Sequence, residues 1–315
     1  MARVGAWTVL AGTVITLFGL AWDIQWHVEV GPDTFFTLPH LLLYSGSAIA
    51  GLASLTMVVF HGARQYLMAG AGAALFLVYG LLDLWWHSIY GFDAVLTTPS
   101  HVALFLSIVV TMTGGIVVFA ASRGGLLLAI PVLIAFGPMA FNGLGALPLP
   151  VDANLLGVLF CAPTLLIMGA TLLGYGSAVR IAVVLGVLQA ALWWFAPWAT
   201  RAYADSVGLP LRDGLADKAP EFPAAIPMFL LVAAVAVEFL FERGRAGRLG
   251  DRRLVVFSGL ITGLVVGAGL GLQMSLFGSG GDILALSVLG LLLGPLAAYL
   301  GTRFAVLLRV QGVSR

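Results

Sequence analysis

Residues 1–23, MARVGAWTVLAGTVITLFGLAWD, carry a single charge, Arg3, ahead of Asp23. A helix needs about 20 mostly apolar residues to cross a bilayer, and this run is long enough. It resembles a signal peptide in outline, but no A-x-A site closes it and it passes directly into Asp23, so it is expected to be a retained first helix. Nine further segments of the same kind follow, at 36–60, 66–86, 98–121, 126–141, 153–176, 180–197, 223–241, 254–275 and 283–306. The expected fold is therefore all-α: a polytopic integral membrane helical bundle of about ten transmembrane helices. The segment with Pro131 and Pro138 is the weakest of them. Composition agrees, with 61% hydrophobic and 9% charged residues and a mean hydropathy of +1.06.

The same composition excludes other classes. Long uncharged apolar runs do not belong to a disordered chain, and a net charge of +1 supplies no field for nucleic acid. The single cysteine, Cys161, lies in an apolar run, so no disulfide framework or CxxC motif exists within the chain. Metal or redox chemistry falls to His, Asp and Glu.

Alternating the ten segments across a bilayer puts both termini and the turns near Arg64, Arg123, Arg180, Arg243–Arg253 and Arg303–Arg315 on one side. Of the 15 basic residues only Arg201, Arg212 and Lys218 fall on the other. The positive-inside rule makes the basic side cytoplasmic. The opposite side receives Asp23, Glu29, Asp83, Asp152, Asp205, Asp213, Glu221 and Asp282, among other acids.

Two stretches repeat at an offset of 60: DIQWHVEVGPDTFFTLPH at 23–40 and DLWWHSIYGFDAVLTTPSH at 83–101. Both carry D-x-x-W-H, then G-x-D, then T-x-P shortly before a second His. Four of the five histidines fall in these units, and the fifth, His61, reads as a solvated loop residue beside Arg64. Each unit straddles the end of a helical hairpin. Asp and His at i, i+4 project from one helix face, and the second His stands in the first turn of the next helix, behind a Pro that suits a helix start. Asp23, His27 and His40 thus converge across one hairpin, and Asp83, His87 and His101 across the next. One carboxylate and two imidazoles form a metal-ligand set with positions left open, and ionisable groups near membrane depth are costly and usually functional. Trp22, Trp26, Trp85 and Trp86 are expected to anchor at the membrane interface, with a second role as walls of the site. Asp33 and Asp93 are read as turn residues.

At these residues the chain resembles the C subunit of the copper membrane monooxygenases, the particulate methane and ammonia monooxygenases. That family has an Asp-x3-His with a later His, and an Asn-x3-His with a later His near Pro-Ser-His. Asp23, His27 and His40 look like the first set. Asp83, His87 and His101, with Thr98-Pro99-Ser100-His101, look like the second, with Asp83 in place of Asn. The resemblance spans about residues 15–110. It implies copper, with zinc or iron as alternatives, and oxygenation of a small apolar substrate. It also implies additional membrane or copper-binding subunits, since the family's soluble copper subunit is not in this chain. An oligomer of the chain is a further arrangement to expect. The location implied is a bacterial cytoplasmic membrane with the sites on its extracytoplasmic side. Two readings stand beside the oxidoreductase: a zinc-dependent membrane hydrolase using the same ligands, and a non-catalytic copper-binding or transfer protein.

The chain thus divides into a four-helix part, 1–121, with the duplicated motif, and a part of about six helices, 122–315, without histidine and of unknown role. In the latter, Glu238 and Glu242 are expected to pair with Arg243 and Arg245. Gly259, Gly263, Gly267 and Gly271 form a small-residue stripe for helix packing. The loop 198–222 is expected either to cap the metal region or to contact a partner. No P-loop, nucleophile elbow or H-E-x-x-H motif is present. A b-type haem is also disfavoured, because the repeat histidines sit at the helix ends.

Overall fold

The computed structural model describes residues 2–32, 34–91, 96–149, 151–215, 218–278 and 280–313; Asp33 and Asp93 lie outside the described residues. The elements are α1 (Ala2–Glu29), α2 (Leu38–His61), α3 (Leu67–Tyr90), α4 (Pro99–Val118), α5 (Arg123–Phe136), α6 (Ala153–Leu173), α7 (Ser177–Val207), α8 (Glu221–Ala225), α9 (Leu230–Arg245), α10 (Asp251–Leu276) and α11 (Ile283–Val313). Among the described residues there is no strand, and ten spans are long and apolar enough to cross a membrane, α8 and α9 counting as one.

Three segments differ from the sequence expectation. The fifth is α-helical only to Phe136 and continues as 3₁₀ turns over Gly137–Leu144. The seventh does not stop at 197: α7 runs on to Val207 through WATRAYADSV, helix-forming residues whose lower hydropathy hid them. The eighth is broken between α8 and α9 at Pro227, which has no N–H to continue a helix. Gln273 of α10 fills this break: its amide donates to the Ile226 carbonyl (2.8 Å) and its Oε1 accepts from the Met228 N–H (2.9 Å). Backbone freed at membrane depth needs such a partner.

The chain folds as two compact units. The first comprises Met1–Val118, Asn142–Ala146 and Gln189–Ala224. The histidine-free sequence thus contributes the second part of α7 and the strap that follows it to the unit holding both repeats. The hairpins α1–α2 and α3–α4 are drawn together by small residues. A methyl group at Gly12 would come within 2.6 Å of the Gly46 carbonyl oxygen, and one at Gly72 within 2.7 Å of the Ser107 carbonyl oxygen. Thr16 bridges the first hairpin, its hydroxyl 3.3 Å from that of Ser47.

The second unit comprises Phe119–Phe141, Leu147–Leu188 and Ala225–Arg315. Its centre is the α10–α11 pair, where Gly259, Gly263, Gly267 and Gly271 meet the backbone of Gly294, Gly290, Leu286 and Ile283. The stripe expected from the sequence is a packing face. Arg123 donates to the Leu173 carbonyl (2.5 Å) and Arg309 to that of Thr171, so two cations satisfy the last carbonyls of α6. Glu238 pairs with Arg245 as expected, at 3.9 Å, and its carboxylate also accepts from the Gly176 N–H (3.0 Å) and the Ala178 N–H (2.8 Å) at the start of α7. Arg243 lies over the Phe239 ring. The N–H groups at a helix start have no partner within the helix, so they share the acid with the arginine.

Gly263→Leu should therefore lower the stability of the purified protein by about 3 kcal/mol or more, because the added side chain meets fixed backbone. Gly186→Leu, where nothing lies within 4 Å, serves as the control and should unfold as the parent does in a thermal scan.

Candidate metal centre

One face of α1 explains how the first triad forms. Gly12, Thr16, Gly19, Asp23 and His27 follow each other at helical i+3 and i+4 spacing. Gly12 and Gly19 bring this face against α2, where a methyl at Gly19 would meet the Leu43 Cα at 2.6 Å. The stripe thus delivers Asp23 and His27 to the first turn of α2, where His40 follows Pro39. The second hairpin repeats the device. Gly72, Phe76, Asp83 and His87 share the buried face of α3, and His101 stands in the first turn of α4.

All six predicted ligands come together as two sets of three. Asp23 Oδ1 lies 3.1 Å from His40 Nε2 and 3.7 Å from His27 Nε2. Asp83 Oδ1 lies 3.5 Å from both His87 Nε2 and His101 Nε2. Within each set the ligand atoms all fall within 4.8 Å of one another. Nitrogen and oxygen ligands at about 2.0–2.1 Å from a tetrahedral ion stand about 3.3 Å apart, so this spacing accommodates a metal ion.

The imidazole orientations matter as much as the distances. His40 Nδ1 donates to the Phe35 carbonyl (3.0 Å), and His87 Nδ1 to the Gly91 carbonyl (3.0 Å). His101 Nδ1 is 2.9 Å from the Thr98 hydroxyl. A carbonyl only accepts, so the Nδ1 of His40 and of His87 carries the proton. In the neutral tautomer each Nε2 then presents a lone pair to the carboxylate. Ring fixation through the far nitrogen is the usual support of a metal-bound histidine. Asp23 Oδ1 and Asp83 Oδ1 are buried, and neither has a hydrogen bond of good geometry. The donor set fits a metal ion on these grounds. The motif glycines have their own reason: Gly31 and Gly91 take φ of 134° and 83° as the chain leaves each helix, a region that side chains disfavour.

Both triads line a single cavity of about 200 Å³, whose remaining walls are mostly apolar and include Phe35, Leu43, Phe76 and Leu104. Tyr44 and Glu221 also line it, and neither was marked by the motif. Sequence reading also missed a clamp on the end of α1. Glu29, a 2% exposed side chain, pairs with Arg201 of α7 at 2.9 Å and accepts from Gln25 at 2.9 Å. Arg212, on the strap after α7, donates its backbone N–H to the Glu29 carbonyl (2.7 Å) and its guanidinium to the His27 carbonyl (3.3 Å). The strap therefore caps the helix that carries Asp23 and His27. Hydropathy placed Arg201 and Arg212 in a loop, where nothing pointed to a partner.

The tryptophans divide. Trp85 is 52% exposed and suits an interfacial anchor. Trp26, expected in the same role, is 2% exposed, its ring 4.9 Å from that of Tyr203. Trp22 meets Phe195 and Tyr203 edge-on. Because α7 covers this side of the first repeat, these two pack against α7 and do not line the cavity, and the matched residue Trp86 of the second repeat packs on Tyr90 instead.

Comparison with protein-family profiles, with curated proteins and with solved structures finds no match.

Removing Arg201 leaves the Glu29 carboxylate buried without its cation. Arg201→Ala should cost about 3 kcal/mol, whereas adding Glu29→Gln to it should restore part of that loss. A double-mutant cycle on unfolding free energies in detergent reads the coupling, and additive effects would remove the clamp from the account.

Proposed function

We propose that this chain is an integral membrane metalloprotein that holds a copper ion in each Asp-His-His group. In this reading it oxygenates a small apolar substrate, with partner subunits supplying the electrons. The observation that carries the proposal is that, in both repeats, a buried carboxylate oxygen and two imidazole nitrogens converge on one largely apolar cavity. Imidazole and carboxylate suit copper, zinc and iron; the resemblance of the duplicated motif to the copper membrane monooxygenases favours copper. A copper ion so bound would supply the one-electron chemistry that dioxygen requires.

The protein's own residues have definite parts in this reading. Asp23 and Asp83 bring negative charge to each ion. The Phe35 and Gly91 carbonyls fix the rings of His40 and His87, and the aliphatic and aromatic walls keep bulk water from the reacting space. A second, apolar cavity of about 530 Å³ shares Phe35, His40 and Tyr44 with the first and lies among the exposed side chains Phe36, Leu41 and Leu81. It supports arrival of the substrate from the lipid. A methyl at Gly80 would come within 2.5 Å of the Tyr44 hydroxyl oxygen, so Gly80 gives that ring its place between the two cavities. The charge asymmetry of the sequence supports placing both triads on the extracytoplasmic face of a bacterial cytoplasmic membrane.

Metal analysis of protein purified without chelator should find two copper ions per chain. The pair His27→Ala with His40→Ala should remove one, and His87→Ala with His101→Ala the other. The oxidised protein should give a Cu(II) electron paramagnetic resonance spectrum with nitrogen couplings. Zinc content with a silent spectrum would overturn the copper reading and leave hydrolysis in its place. Unchanged metal in both double variants would overturn metal binding itself.

A further inference from the structure

Among the described residues, the cavity shared by the triads is lined by three carboxylates, Asp23, Asp83 and Glu221, and by no lysine or arginine. Two of the acids belong to the triads; Glu221 does not, and unlike them it is exposed. Its position is held from behind. Phe222, Pro223 and Ala224 are buried, and the amide of Gln189, itself 6% exposed, donates to the Pro223 carbonyl at 2.9 Å. Of the cations on the neighbouring strap and on α7 in the same unit, Arg201 is held by Glu29 and Arg212 by the carbonyls at the end of α1, while the exposed Lys218 does not line the cavity. Asp83, at 7% exposure, faces the same cavity with an Oδ1 that lacks a hydrogen-bond donor. A solvated carboxylate at the margin of the cavity and an unsatisfied one buried in its wall together describe a route for a cation.

We propose that Glu221 is the capture residue of the metal centre: it draws a hydrated transition-metal ion to the cavity and releases it to the triads. This rests on the metal-binding reading above. A carboxylate at the margin of a low-dielectric cleft raises the local cation concentration and offers an exchangeable oxygen while the ion sheds water. It adds no permanent ligand, so it acts on the rate of loading and not on the number of ions held.

Metal-free protein mixed with Co²⁺ reports loading through the visible absorption that cobalt gains on coordination. Glu221→Gln should load about 3- to 10-fold more slowly at low ionic strength. The difference should vanish near 1 M salt, where the Debye length is about 3 Å, and the final amplitude should equal the parent's. Glu221→Asp should load within about twofold of the parent. Asp205→Asn, an exposed acid of the same unit that does not line the cavity, should load normally. Equal rates for Glu221→Gln and the parent would overturn the capture role, as would equal slowing by Asp205→Asn. A parent protein that takes up no cobalt would instead bring down the metal-binding reading, and the capture role with it.

Discussion

A carboxylate oxygen facing two imidazole nitrogens, at a helix end inside a largely apolar protein, sets the terms for the first unit. Such groups are expensive to desolvate. Backbone carbonyls claim the Nδ1 protons of His40 and His87, which turns the Nε2 atoms toward the carboxylates. The surrounding structure holds this arrangement in place. A helix face graded from glycine to threonine to aspartate brings the two helices of a hairpin close enough for one residue on the second helix to meet two on the first.

The two hairpins achieve this with different support. Around the first, α7 and its strap supply Arg201, Tyr203 and Arg212, which pair with Glu29, cover Trp22 and Trp26, and cap α1. The second triad is held by local bonds, with His87 tied to Gly91 and His101 to Thr98. Duplicated sequence thus sits in unequal surroundings. One group is buttressed by a buried ion pair and the other by its own turn.

The second unit has no histidine and follows another rule, backbone packed on backbone. Four glycines at every fourth position of α10 put its main chain against that of α11, where dispersion acts at short range without a solvent contribution from lipid. Gln273 mends the broken span, and Glu238 caps α7. Each of these polar side chains satisfies backbone groups that neither lipid nor neighbouring helices would serve.

Hydropathy alone determined the ten spans, because bilayer thickness fixes the length of an apolar helix. Self-comparison alone determined the six candidate ligands, because i, i+4 spacing and a proline-led helix start constrain where Asp and His can point. The α10 stripe was legible for the same reason of period. Gly5, Gly12 and Gly19 form an equally regular signal on α1 at a spacing of seven. The extension of α7 was hidden because helix propensity continues past the point where hydropathy falls. Only the tertiary structure decided that both triads open on one cavity, that Glu29 meets Arg201 across 172 residues, and that Glu221 stands beside the six ligands. Spacing along a chain constrains partners within a turn or a hairpin, whereas contacts between distant segments depend on how whole helices pack, and no local pattern encodes that.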